Sequence, residues 1–192
     1  MVEYSPGRSS KGAPKWDTPI RKSFFKVIPE RRLGECVFMY EFLKPYVNAD
    51  KHKLNYFVPV DNERIAKAEA RLGFALPPQL KEFYRDIGFG FLLAPKGADQ
   101  SAEKWLDNIN RVVDPTEVAD LYLGNCEWGP REGFSPEVLP FFDVGDGTFL
   151  VLKIESESDP AVYWPDGKTR VAQDLGQFFR ELYKDPSFYL EL

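Results

Sequence analysis

The chain has 192 residues, 43% of them hydrophobic and 15% aromatic, enough for one domain with a sizeable core, which excludes a chain disordered throughout. It contains no apolar run of the roughly 18 residues that a membrane-spanning helix requires, and residues 1–6 lack the apolar segment of a secretory signal, so a cytoplasmic protein without membrane contact is expected. The net charge of −5 is unevenly spread: residues 1–32 hold eight basic and three acidic side chains, and the remainder holds 17 basic and 27 acidic ones. An acidic body argues against nucleic acid as a ligand, because phosphate contacts need Lys and Arg, and it suits a basic protein partner.

Residues 1–22 are rich in Gly, Ser, Pro and Lys, and 1–30 read as a basic N-terminal extension ahead of a single domain over 31–192. Leu33, Cys36, Val37, Tyr40 and Leu43 recur at helical spacing and predict a helix over 30–44, ended by Pro45. Residues 54–60 read as a strand ending near Pro59. Asp61 or Asn62 then caps a helix whose apolar face is Ile65, Ala68 and Leu72, and Gly73 stops it. Pro77 and Pro78 start a second helix carrying Leu80, Phe83, Tyr84 and Ile87, closed by Gly88. Strands follow over 89–94 and 110–114, then a short helix over 115–123 and a Gly/Pro-broken loop over 124–138 around Trp128. Residues 138–142 form a strand, 143–147 a turn, and 148–154 an apolar central strand. A last strand covers 161–164, and Pro165, Asp166 and Gly167 turn the chain. Leu175, Phe178, Phe179, Leu182 and Tyr183 make a closing helix capped by Asp174 and stopped before Pro186. Helices, then strands at hairpin spacing, favour an α+β fold: a mostly antiparallel sheet with helices packed on it.

Catalytic grammar is sparse. Cys36 and Cys126 have no CxxC spacing and read as free thiols. The single histidine, His52, lies in a polar run with no nucleophile placed beside it, and the lack of a His cluster leaves no histidine-based metal site. No cofactor is expected. Gly88-Phe89-Gly90 follows a helix, where a dinucleotide-binding loop follows a strand. Asp143 and Asp146 are the best carboxylate pair for acid/base work, yet Asp and Gly are also what a tight turn demands. A hydrolase would need both carboxylates in one concave pocket. The calcium-loop spacing is broken, since Gly145, Gly147 and Ile154 stand where ligands belong. Trp128, Tyr163 and Trp164 sit near turns, either as core edges or as exposed anchors for a protein.

The order of several segments resembles the SMI1/KNR4 family, also called the SUKH superfamily. They are the helix from Ile65 to Gly73, the stretch from Leu76 to Tyr84, the run from Asn110 to Val118, the run from Leu139 to Leu150, and the closing helix from Asp174 to Leu182. The resemblance covers about 61–185. It implies an α+β domain and a non-catalytic role as an immunity protein that binds and neutralises a cognate protein toxin, often a nuclease. Fungal relatives act in cell-wall regulation, so the alternative is an intracellular scaffold or regulator without a toxin. The family supplies no catalytic motif and no transferable contact residues. The residues expected to face a partner are therefore those of the turns and their aromatics: Asp143, Asp146, Tyr163, Trp164, Asp166 and Trp128.

Overall fold

The computed structural model describes residues 39–101, 109–127, 129, 133–155 and 159–191. The basic extension, the predicted helix as far as residue 38, and Trp128 lie outside the described residues. Seven strands form one antiparallel sheet: β1 (Asn55–Val58), β2 (Phe89–Leu92), β3 (Arg111–Val112), β4 (Val138–Gly145), β5 (Thr148–Lys153), β6 (Val162–Tyr163) and β7 (Arg170–Ala172). Spatial order equals chain order from β1 to β7. Helices are inserted into this meander. The pair α1 (Asn62–Leu72) and α2 (Pro78–Asp86) joins β1 to β2, α3 (Pro115–Tyr122) joins β3 to β4, and α4 (Leu175–Lys184) follows β7. The fold is α+β, with helices packed on an antiparallel sheet, as the element pattern implies.

Local chemistry explains where the helices start. The Asp61 carboxylate accepts the Arg64 N–H at 2.7 Å, Asp114 accepts that of Thr116 at 2.9 Å, and Asp174 accepts that of Gln177 at 2.7 Å. Each cap satisfies a backbone donor that the helix leaves unpaired, and such a cap contributes about 1 kcal/mol. Helix α2 instead begins on Pro78, whose missing N–H costs nothing in the first turn. Gly73, at φ 79°, ends α1 in left-handed backbone.

Aromatic side chains make the core. Strand residues paired across the ladder share a face, so Phe57, Val112, Phe142, Leu150 and Val162 point one way. Phe57 meets Phe83 of α2 edge-on at 6.1 Å, and Phe142 meets Phe178 of α4 at 5.0 Å. Phe83 and Phe179 stack at 4.2 Å and join the two helices. On the opposite face lie Tyr56, Phe91, Arg111, Asp143 and Phe149. Arg64 of α1 covers the Phe89 ring, and Glu117 of α3 pairs with Arg111.

Four elements depart from expectation. The described part of the first predicted helix is a 3-10 helix over Glu41–Tyr46, with Pro45 inside it. Bonds from Leu43 N–H to the Tyr40 carbonyl and from Val47 N–H to that of Lys44 close turns on either side of Pro45, which has no N–H to give. Strand β4 continues to Gly145, so Asp143 is a strand residue and the turn is confined to Asp146 and Gly147. The reason lies outside the local sequence: Asp143 is held in register between Arg111 and Phe149. Strand β7 and a C-terminal 3-10 helix over Phe188–Glu191 are too short to show a period.

Candidate partner-binding site

At the end of the sheet where β4 turns into β5, a recess of about 300 Å³ is lined by Ile109, Val144, Gly145, Asp146, Thr148, Trp164 and Leu190. Val144, Gly145 and Thr148 bring the facing ends of β4 and β5 to it. The Ile109 N–H donates to the Val144 carbonyl at 3.1 Å, extending the β3–β4 ladder by one bond. The tight turn follows with Gly145 at φ 118°, Asp146 at φ 50° and Gly147 at φ 73°. Asp tolerates such left-handed backbone better than most residues. Ile109 lies over Gly145, where an added Cβ would already be in van der Waals contact at 3.6 Å.

The opposite wall is the C-terminal segment, held by a buried polar network. Asn110 stands at φ 43° and is 1% exposed. Its Nδ2 donates to the Pro186 carbonyl at 2.9 Å, and its Oδ1 accepts the Tyr189 hydroxyl. Tyr189 is wholly buried, with its ring edge-on to Phe142 at 6.4 Å and Trp164 at 6.1 Å. Burial, and then the charges of Asp143 and Asp185, push its hydroxyl pKa well above the usual tyrosine range. With Tyr189 turned inward, Leu190 faces out and is 53% exposed, while Ile109 is 41% exposed. Single exposed apolar residues are ordinary; their convergence is informative. Among the described residues the exposed large apolar side chains are Ile109, Leu123 and Leu190, and two of these three meet at this recess.

The sequence-named residues divide accordingly. Asp146 is exposed and Trp164 half-buried, and both line the recess. Asp143 is 5% exposed and is not part of the lining. Its Oδ2 accepts from Arg111 Nη2 at 3.1 Å and its Oδ1 from the Gly145 N–H at 3.0 Å, while Arg111 also grips both oxygens of Glu117. The two aspartates therefore do not share a concave pocket, which the acid/base arrangement required. Tyr163 is buried and its hydroxyl donates to Asp159 at 2.7 Å, with Lys153 over the ring at 4.6 Å. Asp166 is exposed, but its oxygens accept the Lys168 and Thr169 N–H groups and the Thr169 hydroxyl. Those bonds hold its pKa below the usual carboxylate range, the Lys168 amide first among them. Ile109 and Leu190, which sequence reasoning missed, carried no periodic signal.

A larger groove of about 630 Å³ lies by Leu76, Pro77, Lys81, Arg85 and Ile154. Its cations are already engaged, Lys81 with Glu69 and Arg85 with Asn62, so it offers a partner less than the recess does. Among the described residues no group of three or more His, Cys, Asp or Glu side chains is close enough to hold a metal ion. His52 is exposed in a turn.

The family model described as SMI1 / KNR4 family (SUKH-1) matches residues 59–181, from just after β1 into α4. The chain belongs to the SMI1/KNR4 family. It is similar to a Bacillus subtilis (strain 168) protein named Immunity protein YxxD, with 28% identity over 159 residues covering 80% of this chain and 96% of that protein. No solved structure matches significantly. Within the SMI1/KNR4 match fall Ile109, Asp146 and Trp164, while Leu190 lies beyond it. No helix among the described residues is long and apolar enough to cross a membrane.

Proposed function

We propose that this SMI1/KNR4 protein is an immunity protein that binds a cognate protein toxin in the cytoplasm and neutralises it stoichiometrically, without catalysing a reaction. The observation that carries this reading is the similarity to an immunity protein along 96% of that protein's length, joined to the family match. The physical setting agrees with it. Residues beyond the first 32 hold 27 acidic and 17 basic side chains, and an acidic surface steers association with a basic protein and suppresses wrong partners. A nuclease toxin, whose nucleic-acid groove is basic, is the class this charge fits best. The test is co-expression with the toxin encoded beside this gene. Growth rescue and a one-to-one complex on copurification are expected. Toxicity unchanged by co-expression, with no complex, overturns the reading.

A further inference from the structure

We infer that the toxin seats in the recess between the β4–β5 turn, Trp164 and the C-terminal 3-10 helix, presenting an apolar side chain flanked by Lys or Arg. This deepens the immunity reading and rests on it. The lining supplies the apolar half: Ile109 and Leu190 are 41% and 53% exposed, and Trp164, half-buried and packed against the core, lines the recess with them. Trp is among the residues enriched in binding hot spots, and apolar neighbours around such an anchor exclude water from it.

The charge half comes from Asp146. It lines the recess, is exposed, and forms no hydrogen bond or ion pair among the described residues. Glu191, also exposed, follows Leu190, and among the described residues the lining contains no Lys or Arg. Most other carboxylates singled out by sequence are already committed, Asp143 to Arg111 and Asp166 to its own turn. A free carboxylate beside exposed apolar surface calls for a cation next to an apolar group on the partner. A second copy of this chain fits poorly, because a two-fold contact at the recess would oppose its own Asp146 and Glu191 carboxylates.

The recess is also organised in advance. Asn110 locks Pro186 and Tyr189, and the Ile109 N–H is bonded to Val144. A partner therefore finds Leu190 and Ile109 already in place and loses little affinity to ordering them.

The probe is the toxin domain encoded beside this gene, in growth rescue and in direct binding to the full chain. The double variant Ile109→Ala/Leu190→Ala is expected to weaken binding by roughly 30-fold or more. Leu190→Arg, which leaves Tyr189 anchored, should do the same through like-charge repulsion. Leu123→Ala, at the exposed apolar residue outside the recess, should bind as the parent does. Asp146→Asn should slow association and flatten its dependence on salt. Urea midpoints near that of the parent show that the fold is kept. If the parent rescues and the double variant and Leu190→Arg still bind within about 3-fold of it, the recess is wrong and the immunity reading stands. If the parent itself does not rescue, the immunity reading falls and this inference with it. A parent that sediments as a dimer, dissociated by Ile109→Ala/Leu190→Ala, would assign the recess to a second copy and overturn the inference.

Discussion

Replacing Asn110 tests the link between the buried network and the recess. Asn110→Ala removes the bonds to the Pro186 carbonyl and the Tyr189 hydroxyl, both in buried residues. Each polar group left unpaired in the interior costs about 1–3 kcal/mol. The substitution also places Ala at φ 43°, where a Cβ without a local hydrogen bond costs about 1–2 kcal/mol. Together these give about 3–8 kcal/mol, a large part of a typical total of roughly 5–15 kcal/mol. Asn110→Gly loses the same bonds but escapes the about 1–2 kcal/mol of left-handed strain, partly offset by the about 0.5–1 kcal/mol that glycine's extra chain freedom costs, so it should be less damaging by up to about 1.5 kcal/mol. Tyr189→Phe removes only the hydroxyl and leaves Asn110 Oδ1 unpaired, for about 1–2 kcal/mol. Urea denaturation with a shared m-value measures all three, and a double-mutant cycle isolates the Asn110–Tyr189 pair. Because the same bonds hold the segment bearing Leu190, Asn110→Ala should also expose residues 186–191 to proteolysis and weaken toxin binding. A cost below about 1 kcal/mol, or one no greater than that of Tyr189→Phe, refutes the reasoning.

Gly90 crosses β1 so closely that an added Cβ would lie 2.1 Å from the Tyr56 carbonyl oxygen, at φ 151°. Gly90→Ala is therefore expected to cost more than about 4 kcal/mol, read as loss of the cooperative urea transition or of folded protein. Arg111→Met leaves Asp143 and Glu117 facing each other without their cation. Since the guanidinium is partly exposed, the loss at neutral pH should be about 2–3 kcal/mol, and a cost indistinguishable from zero would show that the network contributes nothing. Tyr84, Tyr183 and Tyr189 have raised hydroxyl pKa values, in each case first through burial, and Tyr183, hydrogen-bonded to Tyr46, reaches about 12. A folded pKa above the unfolded one favours the protonated native state. That stability is complete below the unfolded value of about 10 and is lost as pH rises through the folded values. Spectrophotometric titration should show these tyrosines ionising only with alkaline unfolding. Reversible titration of all nine tyrosines near pH 10 in the folded protein would contradict this.

Much of the fold was legible because local and tertiary demands agree. Asp61, Pro78 and Asp174 start helices on capping and first-turn chemistry alone, and Phe178, Phe179 and Leu182 show helical spacing because one face is buried. The unbroken apolar run of β5 marks a strand between β4 and β6, covered on both faces. What escaped was short or bonded from afar. Val171 and Ala172 are buried in a strand of three residues, too few to alternate visibly. The sequential strand order was also hidden, because α1, α2 and α3 separate strands that pair directly.

The site was half legible, and the division has a physical cause. Asp143 and Asp146 share one Asp–Gly run and look alike to turn grammar. Their fates were decided by Arg111, a residue 32 positions away from Asp143. Asp143 spends both carboxylate oxygens inside the protein, so its loss should appear as stability. Asp146 supplies a left-handed backbone and keeps its carboxylate outside, so Asp146→Asn should leave the fold intact and alter association. Ile109 and Leu190 serve no helix face and no strand alternation, and they meet only because Asn110 ties Tyr189 and Pro186 to the start of β3. A contact surface made of residues with no local task leaves no local pattern. In this chain its trace in the sequence is the buried polar residue Asn110, standing in left-handed backbone at the head of β3.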